Sequence, residues 1–295
     1  MKISTLSLVV GNEACNAKCP YCIANLTDAT HTDRNRPINK RNLQKACMLA
    51  KNGGVSTIIL TGKGEPTLFP QDITDYLTSI KGFPFIELQT NGLAIGKAFD
   101  GIANSGPYVL WENRLKEWYD LGLTTIMFSL PSLDPGQCLG IFGTEYFNLQ
   151  NTVYKLHTMG FTIRLCALGI DGYIDSIAKV MALLNWASKY GVAQITYRPI
   201  TKVESGKEDT EIYKWIDTHQ LKSSSWTSIY HWVREVGTLL MILPHGAEVY
   251  DVYGQNLCLS NCLTISSDPE NMRQLIFWPN GRITYDWQHK GAILL

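Results

Sequence analysis

Cys15, Cys19 and Cys22 stand in a C-x3-C-x2-C spacing, and three thiols this close in a sparse-cysteine chain point to metal rather than disulfide chemistry. Three thiolates can hold three irons of a four-iron cubane, whereas the usual four-cysteine site leaves no iron open. The fourth iron is then free to chelate a ligand. Zinc is the competing reading, because Cys-x2-Cys also suits a tetrahedral ion, but zinc needs four ligands and His31 is the further candidate nearby. A second group, Thr61-Gly62-Lys63-Gly64-Glu65-Pro66, closes an apolar run. Its glycines let the backbone approach a ligand, and exposed carbonyls with a carboxylate suit an ammonium group. Taken alone, the segment also reads as an ordinary glycine turn.

These residues need a scaffold. Strand-like and helix-like runs alternate through the first two hundred residues, the pattern of a parallel sheet with crossover helices. Strands are predicted at 4–10, 56–61, 85–90, 124–130, 161–168 and 194–200, and helices near 39–52, 72–80, 110–121, 144–159 and 174–190. The fold class is therefore α/β, a partial (βα)6 TIM-like barrel, since a closed eight-unit barrel takes about 250 residues for its repeats. The cysteine loop follows the first strand, where such barrels carry their chemistry. Regularity fades after residue 200, which divides the chain into a barrel over 1–200 and a C-terminal extension over 201–295 that covers the barrel opening. The polar segment 24–39 reads as a mobile loop over the site.

Alternation along the strands leaves one face polar. Glu87, Gln89 and Asn91 share a face, as do Thr162, Arg164 and Cys166, and Gln194, Thr196 and Arg198; Ser129 ends the fourth strand. If the apolar faces meet the helices, these polar ones line a solvated cavity where an ordinary barrel would hold Val, Ile and Leu.

Composition narrows the classes. The chain has 295 residues, 45% of them apolar, enough for a substantial core, and its 26 Lys and Arg balance 26 Asp and Glu. A neutral chain has no global field steering it to nucleic acid or an anionic membrane, so neither is expected as a partner. The start lacks the features of a signal peptide, and no apolar run approaches about 20 residues. A soluble, cytoplasmic protein is the expectation. Cys47 shares a helix face with Leu43 and Ala50 and reads as core, Cys138 has no assignment, and the His residues show no zinc spacing. Trp215, Trp226, Trp232, Trp278 and Trp287 fit a core or domain seam, with stacking on a planar substrate as the alternative.

The C-x3-C-x-aromatic-C loop after the first strand, with Tyr21 at the aromatic position, resembles the radical S-adenosylmethionine superfamily. The turn at Gly62-Lys63-Gly64-Glu65-Pro66 resembles that family's G-G-E-P motif, with Lys63 as a variation, and Gln89-Thr90-Asn91-Gly92 looks like its T-N-G turn. The resemblance covers roughly residues 3–200. It implies a [4Fe-4S] cluster on Cys15, Cys19 and Cys22 whose unligated iron takes the amino and carboxylate groups of S-adenosylmethionine. Reduction, by an electron donor such as flavodoxin or ferredoxin, then yields a 5′-deoxyadenosyl radical that abstracts hydrogen from a substrate. By the same resemblance Tyr21, Gly62, Gly64, Glu65 and Asn91 bind the cofactor, Ser129 meets its ribose and Arg198 its carboxylate or adenine. Each of the last two has a plain alternative: Ser129 capping the turn before Pro131, and Arg198 snorkelling to solvent.

The tail Cys258-x3-Cys262, followed by 277–286, resembles relatives with an auxiliary cluster, but Asp286 stands where a further cysteine is expected. Cys258 and Cys262 therefore read as vestigial, buried or substrate-facing, with a second ligand set completed by Cys166 or Asp286 as the alternative. The likeness is closest to the molybdenum-cofactor cyclase and peptide-modifying branches, so the substrate class is a nucleotide-like small molecule or a peptide. Two other classes remain: an iron-sulfur electron carrier or sensor, and a zinc-stabilised binding module.

Overall fold

The computed structural model describes residues 2–26, 37–100, 112–202, 210–260, 270–287 and 292–295. Most of the expected loop at 24–39, with His31, and the tail residue Cys262 lie outside them. Six strands, β1 (Lys2–Val9), β2 (Thr57–Thr61), β3 (Phe85–Thr90), β4 (Thr125–Leu130), β5 (Thr162–Gly169) and β6 (Gln194–Pro199), pair in that order, all parallel. Helices α1 (Lys40–Asn52), α2 (Pro70–Ser79), α3 (Leu93–Phe99), α4 (Glu112–Asp120), α5 (Pro135–Phe142), α6 (Leu149–Thr158) and α7 (Ile177–Lys189) make the crossovers.

Local chemistry sets the helix starts. The side chains of Asn39, Asp134 and Asn148 accept from the first free backbone N–H groups of α1, α5 and α6, and Pro135 occupies the first turn of α5 where no N–H is needed. Capping at Asn148 also explains why α6 starts later than the 144–159 run suggested. The short helices α3 and α5 were not legible as periodic runs.

One cluster joins the outer faces of the strands, Leu6, Leu8, Ile58, Leu60, Leu88, Phe128, Ile163 and Leu165, to Leu43, Ile73, Leu77, Trp118, Leu156 and Val180 on the helices. Each fully buried side chain of this kind contributes about 1.5–3 kcal/mol, so this layer is what holds the curved sheet.

The parallel sheet continues past residue 200. After α8 (Glu211–His219) and α9 (Ser223–Val236), the hairpin β7 (Thr238–Ile242) and β8 (Glu248–Val252) leads into β9 (Gln255–Leu259), which lies parallel beside β6. On the opposite flank β10 (Asn271–Phe277) runs parallel beside β1 and carries β11 (Ile283–Thr284) through a turn at 279–281, where Gly281 N donates to Trp278 O at 2.8 Å. Among the described residues β11 and β7 are the sheet's two edges and do not pair, so the barrel stays open.

The inner face is polar, as the alternation predicts, and it is layered. Register aligns Gln89, Met127, Arg164 and Gln194 across β3 to β6. One step toward the C-terminal mouth come Ser129, Cys166, Thr196 and Cys258. In the lower layer the Arg164 guanidinium donates to Glu87 and to Gln194, Gln194 Nε2 donates to Asn256 Oδ1 at 2.6 Å, and Gln89 Nε2 donates to Glu87 Oε1 at 3.0 Å. This chain of bonds from β3 to β9 satisfies the buried Glu87 charge, without which burial would be costly.

Candidate functional site

The three cysteines occupy the loop after β1, at the mouth formed by the C-terminal strand ends. The loop is pinned from several sides. Glu65 N donates to Ala14 O at 3.0 Å, Gly64 N to Asn12 O at 3.1 Å and Lys18 N to Phe142 O at 2.9 Å. Gly64 has to be glycine here, because a Cβ would sit 2.1 Å from Ala14 O. Beyond the cysteines, Lys63 Nζ donates to Ala24 O at 2.9 Å, which gives the variant residue of the motif a tethering contact.

Glu65 is buried, and its carboxylate is taken up within the protein. Oε1 accepts from Thr67 N at 3.0 Å and from the hydroxyls of Thr67 and Thr90 at 2.6 Å, while Oε2 accepts from Asn91 N at 2.8 Å. The glutamate thus clamps the end of β2 to the end of β3. Burial raises its pKa, and the same hydrogen bonds pull it back down. What the turn presents to a ligand is therefore backbone, at Gly62 and Gly64.

Asn91 links that clamp to the cysteines. Its Nδ2 donates to Asn16 Oδ1 at 2.8 Å and lies 3.8 Å from Cys15 Sγ, and its Oδ1 accepts from Leu93 N at 3.0 Å at the start of α3. Gly92 makes this turn with φ +81, where a side chain would also run into Phe147 and Phe128.

Cys15 is exposed and Cys19 and Cys22 half-buried. Burial, followed by the charges of Cys22 and Cys15, pushes the Cys19 thiol up to about 12, so ligation there has to displace a proton. The three sulfurs sense one another electrostatically, yet among the described residues no three His, Cys, Asp or Glu side chains converge as one bound ion requires. Three thiols suit three corner irons of a cubane, whereas a structural zinc takes four ligands. The donor set therefore fits a [4Fe-4S] cluster.

Tyr21 faces the extension: its ring centroid lies 5.6 Å from that of Trp215 on α8, and Trp215 stacks on His219 at 4.1 Å. Two of the other tryptophans named from the sequence are packing residues. Trp226 lies parallel to Tyr197, and Trp278 packs with Val9 and Ile276 and donates to Thr284 Oγ1 at 2.8 Å. Cys138 is buried against Ser132 O, and Cys258 is buried with Ala247 and Val249. Cys166 and Cys258 flank Thr196 on either side, two strand spacings or about 10 Å apart, too far for a disulfide.

Ser129 sits half-buried in the layer below the mouth, and Arg198 follows one step outward on β6. Ser260, directly after β9, was missed by the sequence reading. The alternation of Leu257 and Leu259 with Cys258 and Ser260 was the signal that would have found it, hidden because Cys258 was read as part of a cysteine pair.

Comparison with known proteins places this chain in a family. The GTP 3′,8-cyclase of Pectobacterium atrosepticum is 27% identical over 138 residues, covering 46% of this chain and 36% of the cyclase. That of Vibrio parahaemolyticus is 26% identical over 153 residues, covering 50% and 40%. The chain therefore spans well under half the length of these curated relatives. Among solved structures, Streptococcus suis SuiB bound to precursor peptide SuiA superposes with a TM-score of 0.56 at 16% identity, covering 96% of this chain and 60% of SuiB. Methylornithine synthase gives 0.50 at 13% identity, covering 78% and 62%. These two share the fold. Residues 9–199, from the end of β1 through the end of β6, match the family model of the Radical SAM superfamily, and the chain belongs to that superfamily.

Proposed function

We propose that this chain reductively cleaves S-adenosylmethionine and uses the resulting radical to abstract hydrogen from a substrate. The observation that carries the reading is the Glu65–Asn91 clamp, which fixes the cysteine loop against the β2 and β3 ends with an amide N–H directed at Cys15 Sγ. Cys15, Cys19 and Cys22 would hold the [4Fe-4S] cluster, which supplies the electron that breaks the sulfonium C–S bond and releases a 5′-deoxyadenosyl radical.

The remaining work belongs to the chain. Gly62 and Gly64 bring backbone close enough to bind the ammonium group of the methionine moiety, with Glu65 holding that backbone in place. Asn91 orients the loop, Tyr21 walls the pocket against Trp215, and Ser129 offers its hydroxyl to the ribose. Arg198 stands farther out at the mouth. The polar inner layers keep the cavity hydrated until a substrate enters, and the exposed edge at Cys15 leaves an electron donor such as flavodoxin or ferredoxin a short path. No helix among the described residues is long and apolar enough to cross a membrane, in keeping with a cytoplasmic enzyme. GTP, named for the cyclase relatives, and the peptide bound to SuiB frame the substrate as a nucleotide-like small molecule or a peptide.

The test is anaerobic reconstitution with iron and sulfide, followed by S-adenosylmethionine and dithionite, with 5′-deoxyadenosine read by mass spectrometry. Its formation supports the reading. A well-formed cluster that yields none, with no spectral response to S-adenosylmethionine, overturns it in favour of an electron carrier.

A further inference from the structure

Two buried polar atoms at the barrel mouth lack partners among the described residues: Arg198 Nε and Ser260 Oγ. Their placement follows from register. Thr196 pairs with Cys258 and Tyr197 with Leu259, and Ser260 N donates to Tyr197 O at 3.1 Å, so Arg198 and Ser260 are the next neighbours on parallel strands. Thr196 lies on the inner face, where its hydroxyl meets Arg164, whereas Tyr197 packs outward with its hydroxyl on Ile174 O. Two residues separate one inner position from the next, so Arg198 and Ser260 both face inward, about 5 Å apart at their backbones.

A buried donor left unmade costs roughly 1–3 kcal/mol, and native structures keep few of them without a reason. Here two occur side by side, and Ser260 is only 2% exposed. His245, in the turn before β8, has its pKa lowered to about 4 by burial and by Arg273 and Arg198. Two buried carboxylates are committed elsewhere, Glu87 to Arg164 and Glu65 to its threonines and Asn91. Glu248, on the neighbouring strand, accepts from the Tyr230 and Tyr250 hydroxyls.

We infer that Arg198 and Ser260 form a subsite for an oxyanion of the substrate, a phosphate or carboxylate group that accepts from both donors. The inference deepens the proposed function, since it rests on the same cavity, and it commits the substrate to an anionic class. The second source of such a group is the carboxylate of S-adenosylmethionine itself. Strand order favours the substrate: Arg198 and Ser260 stand on β6 and after β9, several strands along the sheet from the cysteine loop and the Gly62–Gly64 backbone after β1 and β2.

The experiment uses the reconstituted protein and two probes, inorganic pyrophosphate and succinate, titrated by calorimetry with and without saturating S-adenosylmethionine. One probe is expected to bind one to one with S-adenosylmethionine present. Ser260→Ala and Arg198→Gln should each weaken it about tenfold or more, and Ser260→Thr, which keeps the hydroxyl, should retain it. Thermal melts of each variant identify any that fail to fold, and Ser260→Thr against Ser260→Ala then decides the point. Absence of binding by either probe, or binding indifferent to both substitutions, overturns the inference. So does competition between probe and S-adenosylmethionine together with an equal loss of S-adenosylmethionine affinity in the variants, which assigns the pair to the cofactor carboxylate. Because the readout is binding, it stands apart from 5′-deoxyadenosine formation: failure of that assay rejects the radical chemistry without touching the subsite.

Discussion

Cysteine ligation at this site depends on a few side chains that each have one tolerable identity. Replacing any one of Cys15, Cys19 and Cys22 with Ala leaves two thiols, too few for a cubane. Each variant should therefore lose the iron and the brown absorbance of the reconstituted protein, measured as iron per chain. Gly64→Ala tests the backbone in the same loop. Its Cβ would meet a main-chain oxygen at 2.1 Å, so Ala14 and the cysteine loop must shift. A destabilisation of about 1–3 kcal/mol is expected from such overpacking, seen as a lower Tm, together with weaker binding of S-adenosylmethionine. Ordinary-looking residues prove equally constrained. Asn91 and Gly92, the end of the T-N-G turn, each have a structural duty as well: one joins Glu65 to the cysteine loop and the other makes the left-handed start of α3.

The strands matter as a set because their inner faces are bonded to one another. Arg164 on β5 holds the buried Glu87 on β3 and reaches Gln194 on β6, which in turn holds Asn256 on β9. Arg164→Met removes the guanidinium and leaves Glu87 buried and uncompensated. The expected loss is about 3 kcal/mol, the low end for a broken buried pair because the arginine is 29% exposed. In the Glu87→Leu/Arg164→Met double variant both charges are gone, and most of the stability should return, as denaturant midpoints would show. A double variant as unstable as the single one would mean that the network's value lies in its hydrogen bonds to β6 and β9 rather than in charge compensation.

Across the whole molecule, the last third of the chain supplies both flanks of the sheet, β9 beside β6 and β10 beside β1. The β7–β8 turn carries His245 close enough to Arg198 on β6 and Arg273 on β10 for both charges to act on it. With its folded pKa near 4 against an ordinary value of 6.5, His245 is neutral in the folded protein but binds a proton in the unfolded chain through that interval. Its contribution to stability is therefore present above about pH 6.5 and is lost as the pH falls toward 4. Thermal melts from pH 7 to 4.5 should show a fall in Tm that His245→Gln lessens. An unchanged slope in the variant would assign the acid sensitivity to other groups.

The sequence alone determined the features that depend on local spacing. Six strand periods, their polar inner face, the cysteine triplet and the glycine turn all follow from residues within a few positions of one another, and β3 was bounded residue for residue. The tertiary structure decided what depends on distant residues meeting. That Glu65 is a clamp rather than an exposed carboxylate follows from Thr90 and Asn91, which come from the next strand. The pairing of β9 and β10 with strands far away in sequence could not be read locally, since alternation along a short strand tells which face a residue takes and not which strand it joins. Ser260 became visible as a partner of Arg198 only once parallel register set the two side by side, because hydrogen-bond register across a sheet is fixed by the assembled strands and not by either segment alone.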